Sequence, residues 1–196
     1  MGTPEDTRDQ PFVGMRLDQA ARTAFFLWFN LEPVARPDAR TTVYKPSGPS
    51  FRDLVTVTTR TDSADRIASI ELSIARAFIE DPRKGMFAAD IAKSFLGAAL
   101  AAPDRIHVQH LIDTIAHGGT YATPILAAGP RGEPAPQIER DSAPYLIWLG
   151  RNSRWKRPFD TVLLELENRD GENGGSLRLA VSTSGTHAGQ ASPPSS

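Results

Sequence analysis

The fold is decided by the stretch from Ala68 to Leu100, in which Ala68-Ser-Ile-Glu-Leu-Ser-Ile-Ala75 precedes Gly85-Met-Phe-Ala-Ala-Asp-Ile-Ala-Lys-Ser-Phe-Leu-Gly-Ala-Ala-Leu100. Apolar and polar residues alternate in the first segment, which is the period of a β-strand with one buried face. The second segment has the period of a helix. One helical arc carries Phe87, Ile91, Phe95, Ala98 and Ala99. This change of period predicts an α+β fold.

Two other parts of the chain show strand-like patterns. Leu54-Val-Thr-Val-Thr-Thr59 is rich in β-branched residues, and the turn-forming residues Asp62 to Asp65 separate it from Ala68. We therefore expect these two strands to form an antiparallel pair. Residues 161–167 and 177–181 alternate in the same way on either side of a polar, glycine-rich stretch, which predicts a hairpin.

Two apolar runs also favour strands. Tyr145-Leu-Ile-Trp-Leu149 is continuously apolar, as is typical of a strand covered on both faces. Residues 24–31, Ala24-Phe-Phe-Leu-Trp-Phe-Asn-Leu31, predict a strand that begins buried and then emerges, with Pro33 and Pro37 ending it. Residues 44–50, with two prolines and a glycine, are interpreted as a loop.

Together these patterns predict one α+β domain over residues 12–183. Its core would be a largely antiparallel sheet of five or six strands, with helices at 85–101 and 105–117 packed on one face. A long loop is expected over 121–143. Residues 1–11 and 184–196 are polar or rich in Ser, Pro and Gly, so we expect flexible tails.

Composition excludes several classes of function. Lys and Arg (22) nearly balance Asp and Glu (23), so no global positive field favours nucleic acid or an anionic membrane. The chain has no cysteine, which rules out disulfides, thiolate nucleophiles and iron–sulfur clusters. The apolar run at 24–31 is shorter than the roughly 20 residues that span a bilayer. We expect a cytoplasmic protein without a transmembrane segment.

A histidine-bearing helix is one candidate site. His107, His110, Asp113 and His117 would share one face of a helix over 105–117. A metal ion could be held by His110 with Asp113, or by Asp113 with His117, because side chains three or four residues apart meet on a helix. His110 and His117 are about 10 Å apart along the axis, so further ligands would be required. The alternative is a solvated polar face that titrates near neutral pH.

A basic segment is the second candidate. Arg151, Arg154, Lys156 and Arg157 place four cations around the indole of Trp155. Arginine beside an aromatic ring is a combination favoured at binding hot spots, so we expect this segment to bind an acidic protein partner. The alternative is that Trp155 folds over the sheet edge while the cations pair with acidic neighbours.

Motifs of common enzyme classes are absent from the sequence. It contains no Gly-x-Ser-x-Gly elbow, no phosphate-binding loop ending in Lys-Ser/Thr and no dinucleotide-binding Gly-x-Gly-x-x-Gly. We therefore predict a non-catalytic binding or accessory domain that uses the Arg151–Arg157 segment and needs no cofactor. The alternative is a metal-assisted enzyme organised around His110, Asp113 and His117. The oligomeric state stays open.

Overall fold

The structure, a computed structural model, describes residues 11–105, 143–159, 161–171 and 174–184. The strands are β1 (Leu31–Asp38), β2 (Thr41–Pro46), β3 (Val55–Thr61), β4 (Ile67–Ala75), β5 (Arg154–Pro158), β6 (Val162–Arg169) and β7 (Ser176–Thr183). The helices are α1 (Leu17–Ala20), α2 (Ala24–Trp28), α3 (Arg76–Ile79), α4 (Gly85–Ala99) and α5 (Ala143–Trp148).

The described strands form a single seven-stranded sheet in the order β1-β2-β3-β4-β7-β6-β5. Every neighbouring pair is antiparallel. Two meanders, β1 to β4 and β5 to β7, therefore join where β4 pairs with β7. The α+β class and the antiparallel sheet are confirmed. The expected number of five or six strands is wrong, because β1, β2 and β5 were not foreseen and two predicted strands are helical.

The central strands follow the predicted alternation. Val57, Leu72, Leu179 and Leu166 are neighbours in register across β3, β4, β7 and β6, and each is fully buried. β3 pairs with β4, and β6 pairs with β7, as expected. These two pairs form the middle of the sheet, where alternation is strongest because one face is covered and the other meets solvent.

Helix α4 covers this apolar face. Its side chains Ile91, Phe95 and Ala99 are buried in the same hydrophobic cluster as the strand residues. Phe87, which the helical period places on the same arc, is instead 53% exposed. It lies in the first turn of α4, at the rim of the apolar cavity described below.

Residues 24–28 form helix α2 and not the expected strand. Phe25 and Phe26 are both buried, whereas Leu27 and Trp28 are exposed, although a strand would place Leu27 on the same face as Phe25. Phe25 and Phe26 make edge-on ring contacts with Phe12 at centroid distances of 5.7 Å. Packing of these aromatic rings therefore decides the local structure, which an eight-residue apolar run leaves ambiguous.

Pro33 and Pro37 do not end a strand but lie inside β1. They are tolerated because β1 pairs only with β2 and forms one edge of the sheet. The predicted loop at 44–50 is also partly wrong, since β2 continues to Pro46.

The apolar run at 145–149 is not a strand, because helix α5 occupies residues 143–148. Ile147 and Trp148 are buried. Gly150 follows with a φ of 76°, a left-handed conformation that commonly ends a helix. Short apolar runs do not distinguish a buried strand from a buried helix, and here the packing of α5 against β5 and β6 resolves the choice.

Several predictions fall outside the described residues. Residues 102–105 are helical. Residues 106–117 of the predicted histidine-bearing helix, residues 121–142 of the predicted loop, and residues 1–10 and 185–196 lie outside the described residues. In the described part of the chain, no helix is long and apolar enough to cross a membrane.

Candidate functional site

The basic segment forms the edge of the sheet opposite to β1. Arg154, Trp155, Lys156 and Arg157 lie on β5, and exposed Arg151 precedes the strand. β5 pairs with β6 on one side, and no described strand pairs with its other side. The structure therefore brings the predicted residues together on one sheet edge.

Two hydrogen bonds show which backbone groups of β5 face β6 and which face away from it. The Asn168 amide donates to the Ser153 carbonyl at 2.8 Å, and the Phe159 amide donates to the Val162 carbonyl at 2.8 Å. Bonded and non-bonded pairs alternate in an antiparallel ladder. The register runs without a shift through β5 and β6, so the residues between these two bonds are assigned by alternation.

By this alternation the backbones of Trp155 and Arg157 bond to β6. The amide and carbonyl groups of Arg154 and Lys156 point away from β6, toward the open edge. Pro158 occupies the next outward position, where its missing amide hydrogen removes no bond from the ladder. The edge thus offers two outward amides and three outward carbonyls at the spacing of a β-strand.

The side chains of Arg154 and Lys156 lie on the polar face of the sheet, where they share one carboxylate. The Glu165 carboxylate forms ion pairs with three basic side chains. The nitrogen–oxygen distances are 2.5 Å to Lys156, 3.4 Å to Arg154 and 3.0 Å to Arg178. Burial alone would raise the pKa of Glu165, but hydrogen bonds from Lys156 and Arg178 and the nearby positive charges lower this pKa to about 2. Glu165 is therefore ionised at neutral pH.

The charge network continues across β7 to β4. Arg178 contacts Glu71 at 2.6 Å and Glu167 at 3.6 Å. Arg169 contacts Glu71 and Glu167, each at 3.1 Å. With Arg154, Lys156 and Glu165, the network on this face holds four bases and three acids. The positive charges of Arg154 and Lys156 are thus partly, but not fully, neutralised by acidic side chains on the neighbouring strands.

Trp155 and Arg157 lie on the opposite face of β5. Trp155 is half-buried and packs against the hydrophobic core, while the guanidinium carbon of exposed Arg157 lies 5.5 Å from the centroid of the Phe159 ring. The sequence left open whether these residues bind a partner or pair within the fold. Arg154 and Lys156 do pair internally, whereas Arg151 and Arg157 form no ion pair with any described residue.

Arg76, which the sequence did not single out, binds the segment that precedes β5. Its buried guanidinium donates to the carbonyls of Ile147 and Trp148 at the end of α5 and to the Asn168 side chain. The side-chain nitrogen of Asn168 in turn donates to the backbone carbonyl of Asn152 at 2.6 Å. A cation at the carbonyl end of a helix is favourable, but no local sequence signal connects Arg76 to residues more than seventy positions away.

The alternative metal site cannot be placed, because His110, Asp113 and His117 lie outside the described residues. In the parts of the chain that are described, no group of three or more His, Asp or Glu side chains is arranged to hold a metal ion. The metal hypothesis stays a prediction.

A second surface feature escaped the sequence analysis. An apolar cavity lies between α2, α4 and the β2–β3 connection, with exposed Trp28 and Phe87 on its lining. The aromatic run at 24–29 was the available signal, but a strand reading assigns Phe25 and Phe29 to a different face from Trp28. The helical structure instead places all three around one cavity.

Neither a family model, nor a curated protein, nor a solved structure is similar enough to this chain to match it.

Proposed function

We propose that this protein is a binding domain that takes up an extended acidic segment of a protein partner along β5. The observation that carries the proposal is the edge position of a regular strand whose outward backbone groups belong to Arg154 and Lys156. Addition of a strand to an open sheet edge is a recurring mode of peptide recognition. The partner would become the eighth strand of the sheet.

Backbone geometry supports an extended ligand. Outward amides and carbonyls at alternate residues of a strand repeat about every 6.6 to 6.8 Å, which only another strand matches. The side chains of such a ligand would also alternate. One set would lie beside Arg154 and Lys156, and the other beside Trp155 and Arg157.

Charge supports an acidic ligand. Arg151 and Arg157 are exposed and lack ion pairs within the described ranges, and Arg154 and Lys156 share Glu165 with Arg178. A carboxylate from a partner would complete this arrangement. The same charges oppose pairing of two copies of this edge, because identical basic strands would repel each other. The edge is therefore selective for charge as well as for backbone shape.

Fluorescence anisotropy with a labelled peptide of alternating Glu and Val, about ten residues long, tests the proposal. We expect Arg154→Glu combined with Arg157→Glu to weaken binding tenfold or more, equivalent to about 1.4 kcal/mol. Arg36→Glu on β1 is the matched control at the other edge and should leave binding unchanged. His110→Ala with His117→Ala should also preserve it.

A second pair of variants separates backbone pairing from charge. Lys156→Gln removes only the charge, whereas Lys156→Pro also removes the outward amide. We expect the proline variant to bind the Glu–Val peptide more weakly than the glutamine variant at equal thermal stability. Equal binding by both variants, or equal binding of a Lys–Val peptide to the wild type, would overturn the proposal.

A further inference from the structure

A cavity of about 430 Å³ lies on the side of the molecule formed by α2, α4 and the β2–β3 connection. Its lining includes Phe25, Trp28, Phe29, Phe51 and Phe87. Pockets that bind small molecules typically have volumes of about 300 to 1,000 Å³, are mostly apolar and carry a few polar groups. The cavity has the size and the surface of a small-molecule site.

The aromatic rings form two groups within the cavity wall. Phe25 and Phe29 of the α2 region have ring centroids 5.2 Å apart. Phe51 and Phe87, from the β2–β3 connection and α4, have centroids 6.3 Å apart. Trp28 is 77% exposed. The rim therefore presents ring surface to solvent that a ligand would cover, a favourable change for apolar area.

The rim is held in place where α2 passes into β1. Asn30 has a φ of 44°, and its carbonyl accepts a hydrogen bond from the Ser47 amide at 3.0 Å. The Asn30 side chain also donates to the Ser47 hydroxyl. These contacts join two lining segments, so the cavity is formed by the fold itself and does not depend on a ligand to shape it.

Among the described residues that line the cavity, Asp90 is the only one with an ionisable side chain. It is exposed, and none of the described side chains forms an ion pair or hydrogen bond with its carboxylate. Lys93 and Arg105 line a neighbouring groove that shares Trp28, Phe29 and Asp90 with the cavity. A carboxylate beside several aromatic rings is complementary to an organic cation, which interacts with both the charge and the ring faces.

We propose that this cavity binds a small organic cation with an apolar body, of the aryl-alkyl ammonium class. The apolar body lies among the phenylalanine rings, and the ammonium group lies between Asp90 and the exposed ring of Trp28. This site is separate from the β5 edge, and neither proposal depends on the other.

Three ligands that differ only in their polar group test the assignment: 4-phenylbutylammonium, 4-phenylbutanol and 4-phenylbutyrate. Ligands of this size reach dissociation constants of about 1 mM or tighter when they fit a pocket. Calorimetry on the full chain should rank the ammonium compound first, the alcohol about five- to tenfold weaker and the carboxylate weakest, because the ammonium contacts both a carboxylate and a ring face at the exposed rim.

Two variants locate the site. Asp90→Asn should lower the affinity of the ammonium compound toward that of the alcohol, because only the contact with the Trp28 ring remains, and should not change the affinity of the alcohol. Asp18→Asn is the control at an exposed carboxylate that does not line the cavity. Gly48→Trp adds a large side chain at the cavity lining and should weaken the binding of all three ligands. Gly48 lies on the cavity lining, and a Cβ added there meets no atom within 4 Å, so the chain should fold with the larger side chain.

The outcomes divide clearly. An unchanged preference for the ammonium compound in Asp90→Asn, or equal binding of the three ligands, overturns the assignment of a cation. Failure of all three ligands to bind the wild type, or unchanged affinity of all three for Gly48→Trp with an unchanged melting temperature, overturns the cavity as a ligand site.

Discussion

The two edges of the sheet are built differently. β1 contains Pro33 and Pro37, and its register with β2 shifts twice. β5 pairs with β6 without a shift and carries its only proline at the last position. The Ser47 amide donates to the Asn30 carbonyl, so the backbone of Asn30 faces β2. Because bonded and non-bonded residues alternate along the strand, as in β5, the backbone of Pro33 faces away from β2. The missing outward amide therefore lies inside β1, at Pro33, but at the last residue of β5, at Pro158.

This difference suggests that the chain closes one edge to pairing and keeps the other available. Proline and irregular register are common ways of protecting an edge strand from other chains. Positive charge also protects an edge, but only against partners that are themselves basic. Pro33 and the register shifts thus oppose strand addition at β1, whereas in our proposal β5 selects its partner by charge.

The largest expected effect concerns the row that joins the two edges. Leu72→Ala should destabilise the fold by about 2 to 5 kcal/mol, because it removes a buried side chain between Val57 and Leu179. Ser69→Ala, on the polar face of the same strand, should change stability by less than about 0.5 kcal/mol. Urea denaturation measures both. Similar midpoints for the two variants would contradict the face assignment of β4.

A second variant affects the β5 side alone. Arg76→Met should cost about 2 to 4 kcal/mol, because the carbonyls of Ile147 and Trp148 lose their buried donor. Arg83→Met, at an exposed arginine, is the control. Thermal unfolding gives the stability, and Glu–Val peptide binding at a temperature where the variant is folded shows whether β5 keeps its geometry. A variant as stable as the control would mean that Arg76 is dispensable.

The third prediction is a pH dependence on the β5 side. The pKa of Glu165 is about 2 in the folded protein, below the ordinary 4.5, so its stabilising effect is present above about pH 4.5 and is lost as the pH falls toward 2. Glu165→Gln should cost about 1 to 3 kcal/mol at pH 7, and its difference from wild type should shrink over that range. Denaturation midpoints measured between pH 7 and pH 2 provide the test.

Glu32→Gln is the matched variant on β1. Glu32 is exposed and forms no ion pair with the residues that the structure describes, so its replacement should change stability by less than about 0.5 kcal/mol. A constant difference between Glu165→Gln and wild type from pH 7 to 2 would mean that the pKa of Glu165 is not depressed in the folded state.

The smallest change in stability is expected at the closed edge. Pro33→Val restores an outward amide on β1 and should alter the free energy of unfolding by less than about 1 kcal/mol. Its effect should appear in association, because an unprotected edge can pair with another chain. Sedimentation velocity over a range of concentrations should show more self-association than in the wild type. Unchanged sedimentation would indicate that the register shifts alone close this edge.

The sequence predicted the centre of the sheet better than its edges, and the reason lies in burial. β3, β4, β6 and β7 each have a covered face, so their apolar residues alternate. β1 is almost entirely exposed, and in β5 only Trp155 is partly covered. An edge strand with little buried surface leaves no hydrophobic period to detect.

The candidate site was predicted in part. The cluster of Arg151, Arg154, Trp155, Lys156 and Arg157 is visible as a local run, because its members are neighbours in the chain. Its position on a sheet edge is not visible, since this depends on which strands pair. Nor does the run reveal that two of its cations, Arg154 and Lys156, pair with Glu165, because these contacts follow from the β5–β6 register.

By itself, the sequence determined the α+β class, the central antiparallel pairs and the absence of cysteine chemistry, because composition and alternation act over a few neighbouring residues. Tertiary structure alone decided that residues 24–28 and 143–148 are helices, that Arg76 anchors α5, and that the basic segment forms an edge of the sheet of described strands. Each of these depends on contacts between residues distant in the chain. Local propensity was too weak to choose between strand and helix for short apolar runs, and packing supplied the difference.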